Sequence, residues 1–401
     1  MKAEGFFKNS NRVTLHPHGK SSTNRPIHKL LKSAVFSSLI VLSGGCSNLQ
    51  VLMDPVSDDA HSQRLLDLEQ SFQAEHLNKK DSLSLKFLKP DVFRPFMDKG
   101  TALTNTDFKN EIEDYVGYSV QSNNIQNVLK KMQLGAPEAR VLLNTETQKI
   151  ESCLIVPAAS EGISELLQNT SVPYLDEQVT SKINFENGEF ESFAQYHELW
   201  HCVFFDRIKE DIEQNTVPFA DMTVLRHITE SISDIAGIID TMQQGYPDTL
   251  TKVRDFRNSE SIFAVLSDDL ASAVGHYTVR AIDELERRLE TLTPNEFQNL
   301  KGEKLQTFVF DIMADVKLNS QELKSFTIFL ATKPADATQW LKEKPEHQGS
   351  SKIIAEYLDS LETTLTSLNS AKKHEFMFGR PDKGRPRKIQ IGLKEKPTTT
   401  L

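Results

Sequence analysis

His197-Glu198-Leu199-Trp200-His201 is the segment of this chain whose residue types and spacing most directly suggest chemistry. Two histidines four apart on a helix project from one face, a turn apart, so their imidazoles can grip one metal ion. The glutamate between them can hold a water bound to that metal, the arrangement used to hydrolyse a carbonyl bond with a metal-activated water. The surrounding sequence supports a helix. Phe193, His197, His201, Phe204 and Ile208 recur at helical spacing, and no proline or glycine interrupts residues 189–210. Both histidines therefore lie on an apolar stripe that faces the interior.

A second constellation follows in Thr229-Glu230-Ser231-Ile232-Ser233-Asp234-Ile235-Ala236-Gly237. Leu225, Ile228, Ile232, Ile235 and Ile239 form one apolar stripe, and Glu230 and Asp234, four apart, occupy another face. A solvated acidic face usually mixes in lysine or arginine. Here none occurs between Arg226 and Lys252. Ser233 and Gly237 are small enough to admit a second helix at close range. A catalytic zinc takes three protein ligands and leaves one position open, so Glu230 is the expected third ligand beside His197 and His201.

Taken together, the His-Glu-x-x-His segment and the later Glu-x-x-Ser-Asp segment resemble the gluzincin metallopeptidases of the thermolysin-like clan, over roughly residues 190–240. The resemblance implies one Zn2+ per chain, with His197, His201 and Glu230 as ligands and Glu198 as general base. It also implies that Asp234 orients His197 through its other ring nitrogen. Two neutral imidazoles and one carboxylate leave the metal a positive charge of about one, which lowers the pKa of its water toward ~7. An oxyanion also needs stabilisation. His276 and Tyr277, in Ala273-Val274-Gly275-His276-Tyr277-Thr278, are the candidates for that catalytic role.

The chain has 401 residues, 38% hydrophobic and 25% charged, an ordinary composition for a globular protein with one large or two ordinary domains. Its formal charge of −10 argues against a dedicated nucleic-acid binder. The first 32 residues are basic, with Lys2, Lys8, Arg12, Lys20, Arg25, Lys29 and Lys32. The short apolar run 33–42 and then Ser43-Gly44-Gly45-Cys46 follow. A basic region, an apolar core and small residues make a secretory signal. The cysteine after Ser-Gly-Gly resembles a bacterial lipobox, which implies removal of residues 1–45 and a lipid on Cys46 that holds the protein at a bacterial envelope. Cys153 and Cys202 remain, either paired in an exported protein or buried as free thiols.

The expected fold is α+β and predominantly helical, a zincin-like core with a small sheet and a helical C-terminal region. The expected order is a signal at 1–45 and a polar tether at 46–80. A mixed α/β part at 81–189, a helical active-site part at 190–292 and a C-terminal helical region at 293–371 come next, before a basic tail at 372–401. Strands are expected over 149–157 and around 179–185, and either could pair with an extended substrate. A long periodic stretch runs over 259–292. Two functions fit this pattern. One is a zinc-dependent peptidase anchored at an envelope and acting on a peptide or protein. The other is a non-catalytic helical lipoprotein that binds a partner and carries a structural or vestigial metal site.

Overall fold

A computed structural model describes residues 57–97, 104–133, 136–157, 185–186, 188–214, 222–266, 269–332 and 337–365. The lipobox, the basic tail and all but the last residue of the expected strand at 179–185 lie outside these residues. The described chain is predominantly helical with one three-stranded sheet, an α+β architecture. It forms two compact units. The first comprises the described residues of Leu52–Pro157 and Glu198–Met222, and the second those of Ala158–His197 and from Thr223 onward.

The first unit opens with α1 (Ser57–His76). Its sequence is polar enough to read as part of a tether, yet Leu65, Phe72 and Leu77 at the end of the segment are buried, so it is a packed element. Then come β1 (Ser84–Phe87), α2 (Pro90–Met97), α3 (Asn105–Val116), α4 (Ser122–Gln133), β2 (Glu138–Leu143) and β3 (Ile150–Val156). Thr104 and Asp107 close a capping box at the start of α3, and Gly117 ends it with φ 82°, a left-handed conformation that suits glycine. The sheet order is β1-β3-β2, with β1 parallel and β2 antiparallel to β3. The expected strand at 149–157 is therefore the central one. Its run Cys153-Leu154-Ile155-Val156 is buried throughout, as befits a strand covered on both faces. One face of the sheet joins Phe93, Phe108, Ile112 and Val128 in a core through Leu142 and Leu154.

The helix carrying the histidine pair, α5 (Glu189–Glu213), extends slightly beyond the uninterrupted stretch read from sequence and contributes to both units. In the second unit α6 (Met222–Gln243) and α7 (Thr249–Leu266) follow. Next are α8 (Leu270–Gly275) and α9 (Val279–Leu289). The periodic stretch 259–292 is thus three helices, because the chain turns around Asp269, which caps α8, and again at His276–Thr278. Then come α10 (Pro294–Gln298), α11 (Gly302–Val316), α12 (Ser320–Thr332) and α13 (Ala337–Glu343). A 3-10 turn (Pro345–Ser350) and α14 (Ser351–Leu365) close the described chain. Val274, Tyr277, Phe326, Ile353 and Tyr357 share the core of this unit.

Candidate metal centre

His197, Glu198 and His201 form a buried group on α5 whose candidate ligand atoms all lie within 4.8 Å of one another, a group that could hold a metal ion. This follows from the helix itself: residues one turn apart stack on one face, and both histidines are buried, at 6% and 5% exposure.

In the second unit, α6 presents both of its acids to His197. Nδ1 of His197 lies 2.9 Å from Asp234 Oδ1, and Nε2 lies 3.4 Å from Glu230 Oε2. One ring nitrogen is therefore held by a carboxylate while the other faces a second carboxylate. Gly237 permits this approach. A Cβ there would stand 3.1 Å from the backbone nitrogen of His197 and 3.3 Å from its Cα, so any larger residue would push α5 and α6 apart.

Asp234 is fully buried and heavily supported. It accepts hydrogen bonds from Arg257 Nε at 2.8 Å, Arg257 Nη2 at 2.6 Å and the Thr278 hydroxyl at 2.5 Å. Arg257 also donates from Nη1 to Glu260 at 2.5 Å. Glu260 lies 2.9 Å from Nδ1 of His276, whose Nε2 lies 3.5 Å from Glu230 Oε1. The six side chains close a ring: Glu230, His197, Asp234, Arg257, Glu260, His276 and back to Glu230. Burial alone would push the Asp234 carboxyl up, but Arg257 and His197 outweigh it and hold it well below the usual carboxylate range. Burial likewise opposes ionisation of Glu260, yet His276 and Arg257 bring it down to about 2. Burial also works against the His276 imidazolium, but the Glu260 and Glu230 carboxylates raise it to about 9.

In the first unit, the backbone N–H of Ala139 on β2 donates to Glu198 Oε2 at 2.6 Å. This contact fixes the carboxylate between the two histidines and identifies β2 as the strand beside it. The sequence offers 149–157 or 179–185 for that place; the first is the central strand β3 and the second falls almost wholly outside the described residues. A disulfide joins Cys153 on β3 to Cys202, the residue after His201. Trp200 packs edge-on against Phe72 of α1 at 6.1 Å between centroids.

Of the site residues expected from sequence, the structure gathers His197, Glu230, Asp234 and His276 in one network and groups Glu198 and His201 with His197 on α5. Tyr277 turns instead into the apolar core, its ring against Phe326 and Tyr357 at 5.2 and 5.6 Å. Sequence reasoning missed Arg257, Glu260, Thr278 and the Ala139 amide. The only trace of the first two is the i,i+3 spacing in Arg257-Asn258-Ser259-Glu260, which also suits an exposed helix face. No protein-family model, curated protein or solved structure matches this chain.

Proposed function

We propose that this protein is a zinc-dependent metallopeptidase with a zincin-like catalytic core. The observation that carries the reading is the double placement of His197, with Asp234 on one ring nitrogen and Glu230 on the other. Ligand bonds of roughly 2.0–2.1 Å at tetrahedral angles put two ligand atoms about 3.4 Å apart. The 3.4 Å between His197 Nε2 and Glu230 Oε2 suits a shared ion better than a strong direct hydrogen bond. Two imidazoles and one carboxylate are the donor set of a catalytic zinc with an open fourth position. On the sequence reading His197, His201 and Glu230 would hold it.

Bound there, zinc supplies a water of lowered pKa and polarises a carbonyl. The chain's own residues do the rest. Glu198, its Oε2 steadied by the Ala139 amide, takes the proton of the attacking water and delivers it to the leaving nitrogen. Asp234 fixes the tautomer of His197 so that Nε2 keeps its lone pair outward, and Arg257 and Thr278 hold Asp234 in place. His276, kept charged by its two carboxylate neighbours, is the group positioned to stabilise the oxyanion. Attachment to a bacterial envelope through lipid on Cys46 belongs to the same proposal and is supported by the N-terminal sequence alone.

Metal analysis of the full chain tests the centre. We expect about one zinc per chain, lost in His197→Ala, and weakened more by Glu230→Ala than by Asp234→Ala, because a direct ligand contributes a bond and Asp234 only orients one. Glu198→Gln should keep the zinc and lose cleavage of an unstructured protein such as casein. A wild-type chain that binds zinc yet cleaves nothing in a broad peptide library would replace this reading with that of a partner-binding lipoprotein.

A further inference from the structure

We infer, resting on the peptidase reading, that Arg226 is a substrate-binding residue that takes a carboxylate of the peptide. Arg226 lies one helical turn before Glu230 on α6, so the two share a face. Its Nη2 sits 3.4 Å from Nε2 of His276, the nitrogen that already faces Glu230. Its Nε is shielded from solvent and has no hydrogen-bond partner, and among the described residues no carboxylate lies within ion-pair distance of its guanidinium. Nearby Arg254, Arg257 and Arg280 are all paired with acids. A guanidinium held beside an imidazole and the proposed metal-binding carboxylate, with its Nε unspent, is arranged for a planar anion that arrives from outside.

The backbone is also shaped for this side chain. A Cβ on Gly275 would come within 2.8 Å of both Cδ and Nε of Arg226. Gly275 is not in a left-handed conformation, so what a side chain here would disturb is the arginine stem, which would have to shift. The residue after it is His276, so a single turn of chain both admits Arg226 and sets the imidazole beside it. The carboxylate could be the C-terminus of a substrate, which would make the enzyme a carboxypeptidase, or an Asp or Glu side chain near the scissile bond.

Binding to the zinc-loaded Glu198→Gln full chain separates these cases without turnover. The probes are an N-acylated dipeptide acid, its C-terminal amide, and amidated peptides that differ by Asp against Asn. We expect the carboxylate form to bind about tenfold or more tightly in one of the two pairs: acid over amide assigns the terminus, and Asp over Asn assigns the side chain. Arg226→Gln should abolish the preference, and Arg226→Lys should retain part of it. Gly275→Ala, which leaves the charge but displaces the stem, should reduce it as well. Equal preference in Arg226→Gln, or no preference in the parent, overturns the proposal. Failure of the parent chain to take up zinc instead refutes the peptidase reading, which the binding comparison, repeated without zinc, does not depend on.

Discussion

Replacing Arg257 with methionine tests whether the buried ring is an organised unit. The guanidinium makes three hydrogen bonds of 2.5–2.8 Å to Asp234, which is fully buried, and Glu260, which is largely so. Methionine keeps much of the volume, leaves Asp234 short of its main cation and leaves Glu260 with His276 alone. Removing one member of a buried ion pair costs about 3–5 kcal/mol, because the abandoned charge stays desolvated. If the proposed zinc is bound, a second effect acts on it. Burial pushes the Asp234 carboxyl upward and Arg257 is the largest influence holding it down. Without Arg257, Asp234 orients His197 less well, and a loss of about 10–100-fold in zinc affinity is expected for such a supporting group. Urea unfolding of the full chain in zinc-free buffer measures the first quantity, and chelator competition measures the second. Arg257→Lys retains the charge without the planar fork and should fall between the two. A methionine variant within about 0.5 kcal/mol of wild type, with unchanged zinc affinity, would refute the claim that the ring is a unit; ordinary surface substitutions have effects of that size.

Gly237→Ala should destabilise despite the gain of about 1 kcal/mol that alanine brings to a helix, because overpacking against the His197 backbone costs about 1–3 kcal/mol; a variant that melts higher than wild type would show the helices are not in contact there. Loss of the Cys153–Cys202 disulfide, which spans a sequence separation of 49, should cost about 4 kcal/mol on the chain-entropy account, read as a lower urea midpoint for the double serine variant. Stability should also fall on mild acidification. Burial brings His76 and His227 down to about 4 from 6.5, so the folded state favours their neutral forms. Their contribution is complete above pH 6.5 and is lost as pH falls from there through 4, reaching about 2 kcal/mol for each at pH 5. Equal unfolding free energies at pH 7 and 5 for wild type, or an undiminished acid loss in a His227→Gln variant, would contradict this.

The parts of this protein legible in its sequence are those governed by uninterrupted helical periodicity. Helices α5 and α6 show theirs in plain apolar stripes, and the closeness of Gly237 to His197 follows from a small residue on a helix face. The network behind them was not legible. Arg257 and Glu260 pair across a helical turn as countless solvated residues do, and only the folded chain shows that Asp234 and His276 lie opposite them. Strand β2 was hidden because Glu138 and Arg140 interrupt its apolar pattern, although in the structure they pair with each other and are buried. Helix α1 was hidden for the related reason that few apolar residues carry its packing. The disulfide depended on a long-range approach that two isolated cysteines do not announce.

Helix α5 carries, beside its apolar stripe, a second one made of specific attachments. Glu198 receives the Ala139 amide, Cys202 is bonded to Cys153, Asp206 receives the Leu83 amide, Lys209 donates to the Asp81 carbonyl and Glu213 receives the Ile150 amide. These positions advance by four, four, three and four residues, so they trace one line along the helix. Greasy contacts alone tolerate a modest roll of a helix about its axis, because neighbouring side chains can exchange places. A row of partners that each demand a particular donor, acceptor or sulfur does not, since a roll would break them together. The azimuth of the helix is thereby keyed by the sheet and the segment leading into β1, much as a toothed shaft is held by its rack, and substitutions along this line should compound rather than add.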